Sequence, residues 1–210
     1  MNHIFDWFFS QYQETPTHLI ILEFIGAFFG FLSVWYSRQE NILVYPTGII
    51  STALFVYILL VYGLLGDMLI NGYYFVMSIY GWYYWTRKNK DNQEVPVTKT
   101  HRKEHAWSVF LFISAMLFVV IVYEVNAKFN SWTAYVDTLT TAIFFVGMWL
   151  MAKKKLENWI YWIVGDIISV PLYFYKGLMF TSFQYLLFTI IAIYGYKAWK
   201  KSLNNNRQTV

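Results

Sequence analysis

The chain has 210 residues, of which 58 % are hydrophobic, 22 % aromatic and only 13 % charged, and its formal net charge is +4. Soluble domains carry about 25 % charged residues, because a globule must cover its surface with polar groups. The composition therefore excludes a soluble domain and predicts an integral membrane protein. The basic excess is too small and too scattered for a nucleic-acid partner, and the lack of cysteine excludes disulfides and thiolate chemistry.

Continuous apolar runs predict an all-α protein with seven transmembrane helices, since about 20 apolar residues cross a bilayer. The predicted spans are His18–Ser37, Ile42–Gly63, Met68–Thr86, Ala106–Tyr123, Trp132–Ala152, Asn158–Tyr175 and Leu178–Tyr196. Residues 1–16 are expected to form an extracytoplasmic segment at the membrane interface. The runs are too long for the strands of a barrel.

Lysine and arginine are distributed very unevenly between the two sides of the predicted bundle. With the N-terminus outside, 14 of the 16 basic residues face the cytoplasm, and only Lys128 and Lys176 face outward. Cytoplasmic loops are enriched in Lys and Arg. The sequence therefore predicts an outer N-terminus, a cytoplasmic linker at 87–105 and a cytoplasmic tail at 200–210.

The chain repeats itself at an offset of 114 residues. This offset aligns Trp35 with Trp149, Gly63-Leu64 with Gly177-Leu178, Tyr80-Gly81 with Tyr194-Gly195, Trp85 with Trp199 and Glu23 with Asp137. We interpret 17–86 and 126–199 as three-helix repeats joined by a linking transmembrane helix at 106–125. Because that helix adds one crossing, the repeats are predicted to be parallel, in a 3+1+3 arrangement like that of the SWEET sugar transporters.

Polar and aromatic residues share one face of the sixth predicted span. Asn158, Trp159, Trp162, Asp166 and Ser169 form one stripe, because residues three and four apart share a helix face. Two indoles and a carboxylate suit a cationic aromatic ligand, through cation–π attraction and charge pairing. Tryptophan near a span end is also a common interface anchor, so a ligand site and an anchor are both compatible with the indoles alone.

A second group of candidate binding residues lies on the third and seventh predicted spans. Asn71, Tyr74 and Ser78 share a face of the third span. Gln184 and Tyr185 lie at nearly the equivalent place in the seventh. Hydrogen bonds between helices would explain these residues equally well.

Two acidic residues, Glu23 and Asp137, interrupt predicted spans, and either binding of a coupling ion or capping of neighbouring helices would explain them. No buried Arg or Lys is expected to pair with them, so their role stays unassigned. The chain has no phosphate-binding G-x-x-x-x-G-K-[ST] loop and no G-x-S-x-G nucleophile motif. No enzymatic activity, cofactor or metal is therefore expected.

Several motifs resemble the PnuC family of bacterial nicotinamide riboside transporters. They are Leu156-Glu157-Asn158-Trp159-x-x-Trp162 with Asp166, Leu172-Tyr173-x-Tyr175-Lys176-Gly177-Leu178, Tyr45-Pro46-x-Gly48 and Tyr80-Gly81-Trp82-x-x-Trp85. The resemblance covers roughly residues 23–199, and its most specific part is Asn-Trp-x-x-Trp.

This resemblance implies a homotrimeric, SWEET-like bundle in the bacterial inner membrane. It implies facilitated diffusion of an unphosphorylated vitamin, later trapped by a cytosolic kinase, and a substrate site that includes Asn158, Trp159 and Trp162. Tyr45 stands where many members carry Trp, and relatives carry thiamine or riboflavin, so thiamine or another B vitamin is the alternative substrate. A membrane scaffold that transports nothing is a remoter alternative.

Overall fold

A computed structural model describes residues 16–88, 94–126, 129, 131–177 and 179–208, and this part of the chain folds into seven helices. The helices are α1 (Thr17–Arg38), α2 (Val44–Val61), α3 (Leu65–Trp85), α4 (Arg102–Val125), α5 (Trp132–Ala152), α6 (Asn158–Tyr175) and α7 (Met179–Gln208). One helix corresponds to each predicted span. Residues 1–15 of the predicted N-terminal segment, and 89–93 of the linker, lie outside the described residues.

Two helices extend beyond the predicted boundaries. Helix α4 begins at Arg102, inside the predicted linker, because the Glu104 carboxylate accepts a hydrogen bond from the His101 backbone N–H, 2.9 Å away. Helix α7 continues to Gln208, so most of the predicted tail is helical. The apolar run ends near Tyr196, but Trp199 and Leu203 still pack in the core and hold the extra turns in place.

Four of the seven helices, α1, α2, α4 and α5, are long and apolar enough to cross a membrane. The other three have a more polar composition within the described residues. Helix α6, for example, combines Asn158, two tryptophans, Asp166 and three tyrosines over 18 residues. Side chains of these kinds lower the hydropathy of a helix, and many of them face inward here.

The helices form two groups of three, which we call the first triad (α1–α3) and the second triad (α5–α7). In each triad the middle helix, α2 or α6, packs on both of its neighbours. The triads meet through α1 against α7 and through α3 against α5, and α4 packs mainly on α5. The space between the triads is therefore bordered by helices from both halves.

The backbone follows the 114-residue offset closely. Helix α2 and helix α6 are both 18 residues long and begin and end at equivalent positions. Among the described residues, the non-glycine positions with positive φ are Glu40 and Lys154, which are equivalent, and the positive-φ glycines are Gly63 and Gly177, which are also equivalent. The same turn conformations therefore connect the helices in both triads.

Side-chain packing follows the same offset at one end of the bundle. Tyr45 and Trp85 pack edge to face at 5.1 Å in the first triad, and the equivalent Trp159 and Trp199 do so at 5.6 Å in the second. Trp85 and Trp199 also contact each other, with ring centroids 5.7 Å apart. Equivalent residues thus meet at the interface between the triads.

The described part of the linker, 94–101, is docked on the turn between α5 and α6. The Thr98 backbone donates to the Lys154 carbonyl and accepts from the Leu156 N–H, at 3.2 and 3.0 Å. Thr100 donates two hydrogen bonds to the Glu157 carboxylate, and Val97 is buried. This segment is therefore a packed part of the fold that covers the second triad's turn.

Candidate functional site

A cavity of about 260 Å³ lies between the two triads, and its lining is mostly apolar. Helices α1, α2 and α3 contribute one wall, and α5, α6 and α7 contribute the other. Five of the eight predicted site residues line it: Tyr74, Trp159, Trp162, Asp166 and Tyr185. The structure thus brings together residues from the two groups that the sequence singled out separately.

Aromatic rings form the wall that the second triad contributes. Trp162 on α6 stacks on Phe144 of α5, with centroids 5.4 Å apart and planes 26° apart. Phe144 also lies nearly parallel to Tyr185 of α7, at 6.0 Å. The Phe144 ring sits directly on Gly165, where any Cβ would overlap it. Gly165 therefore lets this ring lie flat against α6 and leaves the cavity open.

Small and hydroxyl-bearing residues form the wall that the first triad contributes. They are Gly30, Ser33 and Ser37 on α1, Gly48, Ser51 and Thr52 on α2, and Ser78 on α3. A Cβ on Gly30 would lie 2.9 Å from the Ser51 hydroxyl, and one on Gly48 would lie 3.0 Å from the Ser33 hydroxyl. Close packing of α1 on α2 therefore depends on these glycines.

The hydroxyls of this wall differ in how they are bonded. Ser33 donates to the Val44 carbonyl at 2.8 Å, and Thr52 donates to the Gly48 carbonyl at 2.7 Å. Ser51 and Ser78 have no hydrogen-bond partner among the described residues, although both are buried. A buried polar group is costly unless it is hydrogen-bonded. These two hydroxyls are therefore available to a polar ligand.

Asp166 is the one carboxylate among the lining residues of this cavity. Its side chain is buried, and within the described part of the chain it has neither a salt bridge nor a hydrogen bond. A charged group at the centre of a bilayer costs at least ~2.5 kcal/mol and normally faces a cavity or a partner. The position of Asp166 beside Trp162 meets that condition and gives the cavity a binding group for cations.

Trp159 and Asn158 lie at the end of the cavity. Trp159 lines the cavity, and its ring packs on Gly195, where a Cβ would lie 2.5 Å from Cη2. Asn158 lies outside the lining and is fully buried. Its amide donates to the Lys155 carbonyl at 2.6 Å, and its Oδ1 has no partner among the described residues. Asn158 thus holds the turn before α6 rather than facing the cavity.

The remaining two predicted site residues also lie away from the cavity. The Asn71 amide donates to the Asp67 carbonyl one turn earlier, at 3.0 Å, so its bond is within α3 rather than between helices. Gln184 is exposed on α7. Both residues lie close to a predicted tyrosine along their helix, Asn71 to Tyr74 and Gln184 to Tyr185. Only the two tyrosines line the cavity.

Sequence reasoning identified Tyr74 and Ser78 on α3, but it missed the part of the first triad's wall that α1 and α2 contribute, and it missed the Phe144 ring. The sequence does contain a signal for the missed part of the wall. Gly and Ser residues lie three apart on α1 and on α2, as in Gly30 and Ser33 and in Gly48 and Ser51. This pattern also occurs wherever membrane helices pack closely, so it did not distinguish a ligand wall from a helix contact. Phe144 has no distinguishing feature in a chain with 19 phenylalanines.

The sequence left Asp137 without a role, and the structure gives it an exposed basic partner. Lys176, in the turn after α6, forms an ion pair with the Asp137 carboxylate on α5. Lys176 was counted as a loop residue in the sequence. The fold brings the end of α6 beside the first turns of α5, because the two helices pack side by side.

Comparisons with known proteins identify the family of this chain. A family model described as nicotinamide mononucleotide transporter matches residues 20–201. The nicotinamide riboside transporter PnuC of Escherichia coli strain K12 is 26 % identical, over 86 % of this chain and 85 % of its own. The riboflavin/roseoflavin transporter RibM of Streptomyces davaonensis is 22 % identical, over 87 % of this chain and 85 % of its own.

A solved structure gives the same result for the fold. The crystal structure of the vitamin B3 transporter PnuC superposes with a TM-score of 0.64 at 22 % identity, and the match covers 88 % of this chain and 82 % of that one. The family model and the relative from Escherichia coli are transporters, so the chain is a transporter rather than an enzyme. Because the family model matches most of this chain, the chain belongs to the nicotinamide mononucleotide transporter family.

Proposed function

We propose that the chain carries nicotinamide riboside across the bacterial inner membrane by facilitated diffusion. The observation that carries this proposal is the unpaired Asp166 carboxylate next to the Trp162 and Phe144 rings, inside a cavity between the triads. The pyridinium of nicotinamide riboside is a flat cation, which aromatic faces and a carboxylate bind together. Relatives with 26 % identity carry the same substrate in their names.

The two walls suggest how the ligand lies. The pyridinium would face the second triad, with Trp162 and Phe144 against the ring and Asp166 balancing its charge. The ribose would face the first triad, where the Ser51 and Ser78 hydroxyls are unbonded. The aromatic wall therefore suits the pyridinium end of the nucleoside, and the hydroxyl-bearing wall suits its ribose end.

The size of the cavity supports a small ligand. Its volume of about 260 Å³ lies just below the ~300–1,000 Å³ of typical ligand pockets. The relative named for riboflavin makes riboflavin a second candidate, but a three-ring flavin would need a larger space. Thiamine is the closer competitor, because it is also a cationic aromatic molecule.

We further propose that all seven helices span the membrane, in parallel triads joined by α4. The equivalent helix bounds of α2 and α6, and the contact between Trp85 and Trp199, support this arrangement. The distribution of basic residues supports an outer N-terminus and a cytoplasmic C-terminus. A homotrimer, and trapping of the product by a cytosolic vitamin kinase, are proposed from the family resemblance.

Uptake into proteoliposomes tests the proposal. Radiolabelled nicotinamide riboside should equilibrate across the membrane without any ion gradient, and liposomes without protein should show no uptake. Trp107→Ala, an exposed residue on α4, should behave like the wild type. A requirement for a sodium or proton gradient would refute the passive mechanism. Uptake of thiamine or riboflavin, but not of nicotinamide riboside, would refute the substrate.

A further inference from the structure

The Lys176–Asp137 ion pair includes an aromatic ring. The Lys176 ammonium lies 5.2 Å from the centre of the Tyr173 ring while it pairs with the Asp137 carboxylate. The side chains of Lys176 and Asp137 keep 25 % and 15 % of their exposure. The group lies where α5 begins and α6 ends, at the end of α6 opposite to Trp159.

A row of aromatic rings leads from this ion pair to the cavity. Tyr173 stacks on Tyr185 with centroids 5.1 Å apart and planes 23° apart. The Tyr185 and Phe144 rings are nearly parallel, with centroids 6.0 Å apart and planes 6° apart. Phe144 in turn stacks on Trp162, with centroids 5.4 Å apart and planes 26° apart. The last three rings line the cavity. The row therefore joins an exposed charged group to the buried binding wall.

The group around Lys176 has the chemistry of a binding site for an aromatic cation. A carboxylate and a ring face together hold the ammonium, and they are also the two partners that a pyridinium seeks. The deeper site repeats this combination, with Asp166 beside Trp162. A cationic aromatic molecule that reaches this end of the bundle would thus compete with Lys176 for the same partners.

We propose that Asp137 and Tyr173 form an entry subsite for aromatic cations, which the Lys176 side chain fills in this conformation and releases to the incoming ligand. The subsite rests on the proposed function, which supplies the ligand class and places this end of the bundle outside the cell. Neighbouring rings are too close to admit a flat molecule between them, which needs about 3.5 Å on each face. The ligand therefore advances as Tyr173 turns aside.

Removal of the lysine charge tests the subsite. Lys176→Met keeps most of the side-chain length and frees Asp137 for the substrate. Initial uptake rates are measured at low concentration for nicotinamide riboside and for its uncharged dihydropyridine form. We expect kcat/KM for the cation to rise roughly three- to tenfold, because an unpaired carboxylate steers cations, and kcat/KM for the uncharged form to stay unchanged. Asp137→Asn should lower the value for the cation alone.

Two further variants control for effects on folding. Lys197→Met is the matched control, since Lys197 also faces a tyrosine ring, Tyr194, at 5.8 Å but has no carboxylate partner within the described residues. It should leave both rates unchanged. Tyr173→Leu keeps the ion pair and removes the ring, and it should lower the cation's kcat/KM relative to that of the uncharged form.

Equal changes for both ligands in Lys176→Met, Asp137→Asn and Tyr173→Leu would show that the group only braces α5 against α6, and would overturn the subsite. In that case wild-type uptake of nicotinamide riboside would still stand, and the proposed function with it. If the wild type carries neither ligand, the proposed function fails and the subsite fails with it.

Discussion

Glu40 and Lys154 lie at equivalent positions of the two triads and form an ion pair with each other, with 3.6 Å between Oε2 and Nζ. Both have φ of 55°, so the same turn presents each side chain toward the other. The Lys154 ammonium also lies 4.6 Å from the centre of the Trp85 ring. Burial lowers the pKa of Lys154, and the charge of Glu40 opposes that shift. The pair joins the triads near the start of α6, at the same end as Trp159.

Breaking this pair should destabilise the protein. Glu40→Gln leaves the buried Lys154 without its carboxylate, and removal of one partner from a buried pair costs up to ~3–5 kcal/mol. Glu40 keeps 23 % of its exposure, so we expect a loss of about 1–2 kcal/mol, measured as a lower Tm in detergent. The double variant Glu40→Gln, Lys154→Met should recover part of it.

The exposed Glu124 at the end of α4 provides the control for this measurement. Glu124→Gln should leave the Tm unchanged. A double variant less stable than Glu40→Gln alone would contradict the role of the pair, because it would mean that Lys154 is better buried without a partner than removed.

Trp162→Ala should weaken binding of nicotinamide riboside. The variant loses the ring that stacks on Phe144 and faces the cavity. Aromatic and cation–π contacts contribute about 0.5–2 kcal/mol each, so we expect Kd to rise several-fold to some tens-fold in calorimetry. Trp107→Ala on α4 is the control for loss of an indole. Unchanged affinity in Trp162→Ala would exclude Trp162 from the site.

Asp166→Asn should discriminate between charged and uncharged ligands. The amide keeps the shape of the carboxylate but removes the charge that is unpaired in the cavity. We expect Kd for nicotinamide riboside to rise by about tenfold, and Kd for its dihydropyridine form to change by less than about twofold, since only the cation loses charge pairing. Equal losses for both ligands would refute the role of Asp166 as a counter-charge.

Gly165→Ala should impair both stability and binding. The added methyl group overlaps the Phe144 ring, which must then move into the cavity. Overpacking typically costs ~1–3 kcal/mol, so we expect a lower Tm and a weaker Kd. Gly72→Ala is the matched control, because a Cβ at this helical glycine meets nothing within 4 Å and removal of a helix glycine stabilises by ~0.5–1 kcal/mol. Wild-type affinity in Gly165→Ala would contradict the packing of Phe144 that we describe.

The helices and their pairing were predictable because they depend on local patterns. Apolar runs mark each helix, and the offset of 114 residues pairs α2 with α6. The stripe of Trp159, Trp162 and Asp166 was also predictable, since helical periodicity places these residues on one face. Periodicity does not show how far a face extends, so it included Asn158, which lies just behind the cavity.

The part of the first triad's wall on α1 and α2 could not be predicted, and neither could the docking of the linker, because both depend on contacts between distant segments. Nothing local distinguishes Ser51, which faces the cavity, from other serines in apolar helices. Thr98 and Thr100 look like ordinary linker residues, and their hydrogen bonds to the α5–α6 turn and Glu157 arise from the fold. The same is true of the ion pair between Asp137 and Lys176.

At equivalent positions, the two walls of the cavity carry residues of opposite size. Gly30 packs against Ser51 in the first triad, whereas the equivalent Phe144 packs against Gly165 in the second. An assembly of two identical three-helix chains would carry either two ring-bearing walls, which would fill the space, or two small walls, which would offer no ring to the ligand. Such a site therefore requires two copies that have diverged. In the 3+1+3 arrangement that we propose, helix α4 joins the two unlike triads in one chain, so they stay together in every molecule.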